Sequence, residues 1–244
     1  KIASWNVHHW KNINWSDIEL TETKMGNWIL SNNPDILCIQ ENNDTKASKM
    51  LRNSFPHHIT GKYQMLCIYS KYPILQWDFE TYSSGYPGHK GFIWADVEIS
   101  DPDGNIDTLR ITNIHLVTTT FDKKEALSTN KKLDVLKSIY KSFTSLTKTA
   151  KKRSQQLDQI IEWEKHSKHP VFISGDFNEV PTSNAYFKMT QNMKDAFSIA
   201  GKGLGSTYTN LWRFPLRIDW IICPNEIDVQ SAEILDQTWS DHNP

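Results

Sequence analysis

The sequence predicts a layered α/β (α+β) protein, and three observations carry that expectation. Several apolar runs are continuous rather than alternating, Ile36-Leu37-Cys38-Ile39 and Val171-Phe172-Ile173 among them. A strand that is apolar at every position is buried on both faces. A turn at Asp101-Pro102-Asp103-Gly104-Asn105 joins two further strand-like runs, Phe92–Ile99 and Thr108–Val117, into a hairpin. Between 123 and 165 apolar residues recur every three to four positions, the period of a helix.

The elements follow in order. Lys1–Val7 reads as a strand that turns polar at Asn6 and at His8-His9. A helix is expected over Asp17–Leu30, with Ser16 as its N-cap and Asn32-Asn33-Pro34 as its stop. The run Asp35–Glu41 is a buried strand closed by a carboxylate. Lys46–Phe55 reads as a short helix. Gln64–Ser70 and Ile74–Thr81 read as strands joined at Lys71-Tyr72-Pro73, and 83–89 as a loop. After the hairpin and the long helical stretch comes the strand 170–174. A turn then leads into a helix over Asn184–Asn192. Gly201–Gly205 is a connector, since it lacks the Lys-Ser/Thr ending of a phosphate-binding loop. Arg217–Cys223 and Ile227–Leu235 read as two more strands. No linker, repeat or low-complexity segment interrupts the series, so one domain over 1–244 is expected.

Composition narrows the function classes. The 244 residues carry a net charge of −1, so there is no global basic field for nucleic acid. Lys148, Lys151, Lys152 and Arg153 form the most basic stretch and read as a solvated helix face. His166 and His169 read as helix-end and loop residues. Ten Trp and an aromatic content of 11% supply a sizeable core. Trp10, Trp15, Tyr86 and Trp212 read as core aromatics, with an apolar lip to a crevice as the other use. Three scattered cysteines without a CxxC pair exclude a disulfide framework and a zinc site, and read as buried thiols. No leader or membrane-spanning run is present. The chain opens inside a strand and stops at Asp241-His242-Asn243-Pro244. It therefore reads as a trimmed piece of a longer protein, with the compartment left open, tethering or export through a preceding segment included.

The chemistry gathers at strand ends. Trp5 is followed by Asn6, Gln40 by Glu41, and Ile114 by His115. Gly175 is followed by Asp176 and Asn178, Ile218 by Asp219, and Ser240 by Asp241 and His242. In a layered α/β fold such ends converge on one crevice, and acids with amides there suit a hard cation or a phosphate ester. In this order along the whole chain, the set resembles the endonuclease/exonuclease/phosphatase superfamily, which includes deoxyribonuclease I, apurinic endonucleases, inositol polyphosphate 5-phosphatases and neutral sphingomyelinases. Ile68–Ile74 and the long helix before Gly175 look most like a little-characterised bacterial branch.

The resemblance implies a four-layer α/β sandwich, with two mostly antiparallel sheets packed face to face and helices outside. It implies an Mg²⁺- or Mn²⁺-dependent phosphoesterase. Glu41, Asn6 and Asp241 would be the metal ligands. Asp176 would orient or deprotonate the attacking water, and Asn178 would bind phosphate. His242, held by Asp219, would contact the scissile phosphate, and His115 would stabilise it or protonate the leaving oxygen. Lys90 is a further phosphate contact, by analogy with a Lys-Gly of phosphatase and sphingomyelinase relatives. His8-His9 are placed at the crevice rim or in solvent. The expected partner is a phosphate-ester substrate: a small molecule, a lipid head group or nucleic acid. No protein partner is evident, and a monomer is expected. A nuclease on the same scaffold and a non-catalytic binding module are the competing readings. The neutral charge weighs against the first, and the intact acid, amide and histidine set against the second.

Overall fold

The computed structural model describes residues 1–11, 18–61, 65–83, 91–100, 104–118, 149–209, 216–237 and 239–244. Two sheets form its centre. One has four strands in the order β1-β2-β4-β3, namely β1 (Ile2–Asn6), β2 (Ile36–Gln40), β3 (His57–Thr60) and β4 (Cys67–Ser70). The other has six, in the order β5-β6-β7-β8-β10-β9. They are β5 (Ile74–Thr81), β6 (Gly91–Ser100), β7 (Ile106–His115), β8 (Val171–Asp176), β9 (Met193–Asp195) and β10 (Asp219–Pro224). Each sheet contains one parallel pair, β1 with β2 and β7 with β8, and is otherwise antiparallel.

The continuous apolar runs are explained by three cores. Ile36, Cys38 and Ile68 of the first sheet meet Ile93, Ala95, Val97, Ile111 and Phe172 of the second, so the sheets pack face to face. The alternate residues of the same strands point outward to helices. Leu37, Ile39 and Tyr69 pack with Met25 and Ile29 of α1 (Ile18–Asn32) and with Ala47 and Leu51 of α2 (Lys46–Ser54). On the other side Trp94, Ile114, Ile173 and Trp220 pack with Leu157 and Ile160 of α3, the helix over 149–164, and with Ala185 and Met189 of α4 (Asn184–Met189). Helix, sheet, sheet and helix are the four layers expected.

Local signals explain where elements begin. Thr45 and Ser48 cap α2 reciprocally, and Ser183 accepts from the Tyr186 N–H at the start of α4. The helix α4 ends at Met189, three residues before the predicted end, with Thr190 as its C-cap. The Ser16 cap, the earlier part of the 123–165 helix and the first half of the hairpin turn lie outside the described residues. The strands either side of Lys71-Tyr72-Pro73 do not pair with each other, and the chain crosses there from one sheet to the other. β3, β9 and the short helix α5 (Ala196–Ala200) were not legible, being three to five residues long.

One expected strand is absent. Residues 227–235 make no sheet pairing. The outer side of β10 is taken by β9, so β10 offers no free edge to them. Ile227 and Val229 are instead half-buried against the inter-sheet core. The rest lines a groove of about 710 Å³ along the outer edge of β1, with Trp28 and Ile29. Arg153 also departs from expectation. It is buried, with Nε 2.6 Å from Glu179 Oε1 and Nη1 donating to Val117 O, so it is no part of a solvated basic face. The three cysteines are buried free thiols, and burial pushes Cys38 up to about 12.

Glu164 of α3 is a buried acid outside the crevice, accepting from the Thr112 hydroxyl on β7. Burial pushes its carboxyl up to about 7. A carboxyl raised in the folded state contributes fully below its ordinary pKa of about 4.5, and that contribution is lost as pH rises through about 7. Urea melts of the parent should therefore lose roughly 1–3 kcal/mol between pH 4.5 and 8, and Glu164→Gln should flatten the curve over that window. A parent whose stability does not change there would refute this account of Glu164.

Candidate active site

Sheet register puts three of the predicted residues in one row. His115 ends β7 opposite Asp176 at the end of β8, and Asp176 pairs in turn with Asp219 at the start of β10. The facing sheet ends in the same place, with Asn6 of β1 opposite Gln40 and Glu41 one residue beyond. The backbone is bent to allow this. Gly175 sits at φ +138°, and a Cβ there would lie 2.0 Å from Ile114 O, so no other residue fits the close approach of β8 to β7. Asn178 follows at φ 51°, a left-handed conformation that Asn tolerates, and Glu41 takes φ 53°. The C-terminal residues are tied in by Trp5 Nε1 donating to His242 O (2.8 Å), Ser240 Oγ to Asn6 O (2.7 Å) and Asn243 N to Thr207 O (2.6 Å). His242 is buried rather than frayed.

Asp176 is the centre of the cluster. Its Oδ1 accepts from the Asn178 N–H (2.8 Å), and its Oδ2 from Asn6 Nδ2 (3.1 Å). His115 Nε2 stands 3.4 Å and His242 Nε2 3.7 Å from the same Oδ2. Burial pushes the Asp176 carboxyl up to about 8, with the neighbouring Asp219 adding to the shift. His242 Nδ1 lies 2.8 Å from Asp219 Oδ2. Burial works against a charge on this imidazole, but Asp219 and Asp176 outweigh it and raise His242 to about 10. The Asp219–His242 pair and Asp176 have ligand-type atoms that all lie within 4.8 Å of one another. A carboxylate holding one tautomer of a histidine, beside a second carboxylate with raised proton affinity, is suited to moving protons at a substrate oxygen or water.

Glu41 forms the second half of the site. Its Oε1 accepts from Asn6 Nδ2 at 3.3 Å and lies 3.8 Å from His115 Nε2. Asn6 thus turns its nitrogen, not its oxygen, toward the acids, because its Oδ1 accepts the His8 N–H at 3.1 Å. This departs from its expected place as an oxygen ligand. Asp241 lies on the same side, with Oδ1 3.1 Å from His8 Nδ1. Burial works against the charged form of Asp241, but His8 and His242 together outweigh it and lower the carboxyl, while the bond to Asp241 raises His8. Glu41 and Asp241, two acids on either side of one imidazole, are oxygen donors of the kind a hard divalent cation takes, while among the described residues Asp176, Asp219 and His242 are the group whose ligand atoms all lie within 4.8 Å of one another. Asn178 Nδ2 donates to Leu116 O (3.1 Å) and Thr118 Oγ1 (3.4 Å), so its side chain holds the loop after β7 rather than reaching into the cluster.

Sequence reasoning therefore brought together Asn6, Glu41, His115, Asp176, Asp219, Asp241 and His242. It left His8 and His9 at the rim or in solvent, whereas both face Glu41. Their position directly after Asn6 was the signal available. Gln40 and Asn113 carried no expected role. They bridge the two sheets behind the site, Gln40 Nε2 donating to Asn113 Oδ1 (2.7 Å) and Asn113 Nδ2 to Ile39 O (2.9 Å) and Cys67 O (2.8 Å). Trp10 is core. Lys90, Trp15, Tyr86 and Trp212 lie outside the described residues.

Comparison with known proteins shows the family and the fold. The family model described as endonuclease/exonuclease/phosphatase family matches residues 3–242. No curated protein matches in sequence. Among solved structures, an endonuclease/exonuclease/phosphatase from Bacteroides vulgatus superposes with a TM-score of 0.68 at 20% identity, covering 99% of this chain and 94% of that one. A β-hairpin deletion mutant of beta toxin from Staphylococcus aureus gives 0.64 at 18%, covering 100% and 96%. A mannosyl-6-phosphatase from Bacteroides thetaiotaomicron gives 0.60 at 16%, covering 99% and 96%.

If Asp219 is what holds the charge on His242, then Asp219→Asn should lower the pKa of the His242 imidazole by more than about one unit. NMR titration of the metal-free protein measures it, and an unchanged titration would show that Asp219 is not the supporting group.

Proposed function

The chain belongs to the endonuclease/exonuclease/phosphatase family, and from that footing we propose that it is a divalent-cation-dependent phosphoric ester hydrolase acting on a small or lipid-linked phosphate ester. Members of this family are phosphoesterases and nucleases. The observation that carries the proposal is the convergence of Asn6, His115 and His242 on the single buried oxygen Asp176 Oδ2.

Hydrolysis of a phosphate ester is limited by charge. The anionic ester repels the nucleophile, and negative charge grows on the departing oxygen. A dication, Mg²⁺ or Mn²⁺, supplies charge neutralisation and polarisation of the phosphoryl oxygens when bound, with Glu41 and Asp241 as the residues that would hold it. Asn6 then serves as a positioning residue, its amide aligning the Glu41 and Asp176 carboxylates. Asp176 orients the attacking water and accepts its proton, a role supported by its raised proton affinity. His242, kept charged by Asp219, faces the phosphate and steadies the charge that builds on it. His115 lies between Glu41 and Asp176, placed to bind phosphate or to protonate the leaving oxygen. Asn178 acts through its backbone N–H, which fixes Asp176.

Small esters are favoured over nucleic acid on charge. The net charge is −1 and Arg153 is neutralised by Glu179, which removes one cation from the basic stretch a nuclease would use.

With Mg²⁺ or Mn²⁺ present, the protein should hydrolyse at least one of bis-p-nitrophenyl phosphate, a sugar phosphate such as mannose 6-phosphate, inositol phosphates or sphingomyelin vesicles, and leave plasmid DNA intact. Asp176→Asn should lower the rate by about 10²–10⁴-fold with the circular dichroism spectrum unchanged. Plasmid nicking that Asp176→Asn abolishes would overturn the small-ester preference. No turnover together with no cation binding would overturn the enzyme reading.

A further inference from the structure

Helix α3 carries two buried polar residues, Arg153 and Gln156, outside the cluster around Asp176. They are three apart, so they lie on one face of the helix. Both reach the same residue of the loop after β7. Arg153 Nη1 donates to Val117 O (3.1 Å), and Gln156 Oε1 accepts from Val117 N (3.0 Å). Arg153 also reaches the loop after β8, with Nε 2.6 Å from Glu179 Oε1. One guanidinium therefore spans two loops. The first continues from His115 and the second from Asp176.

The two loops are also joined directly. Leu116 N donates to Asp176 O (2.9 Å), and Asn178 Nδ2 to Leu116 O (3.1 Å). The Arg153 link lies one residue further out on each loop, at Val117 and Glu179. Behind them Leu157 and Ile160 of α3 pack with Ile114, Leu116 and Phe177. The other end of α3 is held to β7, where Glu164 accepts from the Thr112 hydroxyl. The helix thus braces the strand that ends in His115 against the one that ends in Asp176.

Stability alone does not call for a buried arginine here. A guanidinium taken out of water loses hydration that a partner carboxylate restores only in part, and apolar residues of similar volume commonly pack as well or better. What the pair adds is geometry. A guanidinium is a rigid planar fork with donors at fixed angles, so it holds its two acceptors at a set separation. The residues just upstream inherit that separation, and there His115 Nε2 stands 3.4 Å from Asp176 Oδ2. Rates are sensitive to such distances, since a displacement of about 1 Å can cost on the order of 10²-fold.

Resting on the phosphoesterase reading above, we propose that Arg153 and Gln156 are positioning residues for the hydrolysis. They act through Val117 and Glu179, which hold the His115 and Asp176 ends of β7 and β8 at their working separation.

The test uses the full chain, with turnover of whichever of the esters named above is hydrolysed and with amide hydrogen exchange read by NMR. Arg153→Met and Gln156→Met should each lower kcat about 10–100-fold and leave KM within about threefold of the parent. Gln156→Glu keeps an acceptor for the Val117 N–H and should return kcat to within about fivefold of the parent. In both Met variants the Leu116, Val117 and Asn178 amides should exchange at least about tenfold faster, while Ile111 and Ile173, deeper in the same two strands, keep the parent's rates. Met variants with the parent's kcat, a loss confined to KM, or a Gln156→Glu no faster than Gln156→Met would each overturn the proposal and leave the hydrolase reading standing. So would faster exchange shared by Ile111 and Ile173, which would make these residues ordinary stabilising contacts. If Arg153→Met does not fold, the two Gln156 variants decide. If the parent hydrolyses none of the esters, the hydrolase reading falls, and exchange alone decides the brace: loop amides as protected in the variants as in the parent overturn it.

Discussion

Most of the structure around the crevice is organised by one buried carboxylate. Asp176 lies at the meeting of the two sheets with its side chain almost entirely out of water. A carboxylate in that position is costly unless donors and cations surround it. Its partners come from four places in the chain: the end of β1, the end of β7, the loop after β8 and the C-terminal residues. None of these groups is close to another in sequence. They meet because β8 lies between β7 and β10 in one sheet while β1 and β2 end opposite it in the other.

The same demand explains the polar residues inside the sandwich. Gln40 and Asn113 link the sheets just behind the site, satisfying carbonyls of β2 and β4 that a purely apolar interface would not reach. They fix how far apart the two halves of the site stand. Gly175 acts at the same level from within one sheet, since any side chain there would push β8 off Ile114 and move Asp176 with it. The cores on either side are aromatic and aliphatic and set the sheets as rigid platforms. The candidate site is thus concentrated at strand ends, where backbone conformations are unusual and where packing holds them.

Charge is distributed in two compartments. On one side Asp176, Asp219 and His242 form a cluster of titratable groups in mutual contact. On the other, Glu41 and Asp241 converge on His8, and Asn6 and His115 touch both compartments. Acids crowded in this way repel one another, and a positive group between them relieves the repulsion. The hydrolysis proposed above would use the two sides for different needs, a cation for the anionic ester and a proton acceptor for water.

The sequence by itself determined the layers and the kinds of side chain that stand at the strand ends. Continuous apolar runs require burial on both faces, and a polar residue ending such a run has to lie at a sheet edge, so the doubly buried strands and the row of strand-end acids, amides and histidines were legible. Strands as short as β3 and β9 were not, since three or four residues carry too little periodicity. Residues 227–235 misled because an apolar run describes burial, while strand pairing needs a free edge, and β9 had taken that of β10. Only the tertiary structure decided which atoms face which. Asn6 turns its nitrogen to the acids because the His8 N–H holds its oxygen. Arg153 is buried because Glu179 and the Val117 carbonyl meet it. His8 and His9 reach Glu41 only through a left-handed turn pinned by contacts from distant parts of the chain. Those outcomes depend on register and backbone torsion, which residue types and spacing alone do not specify.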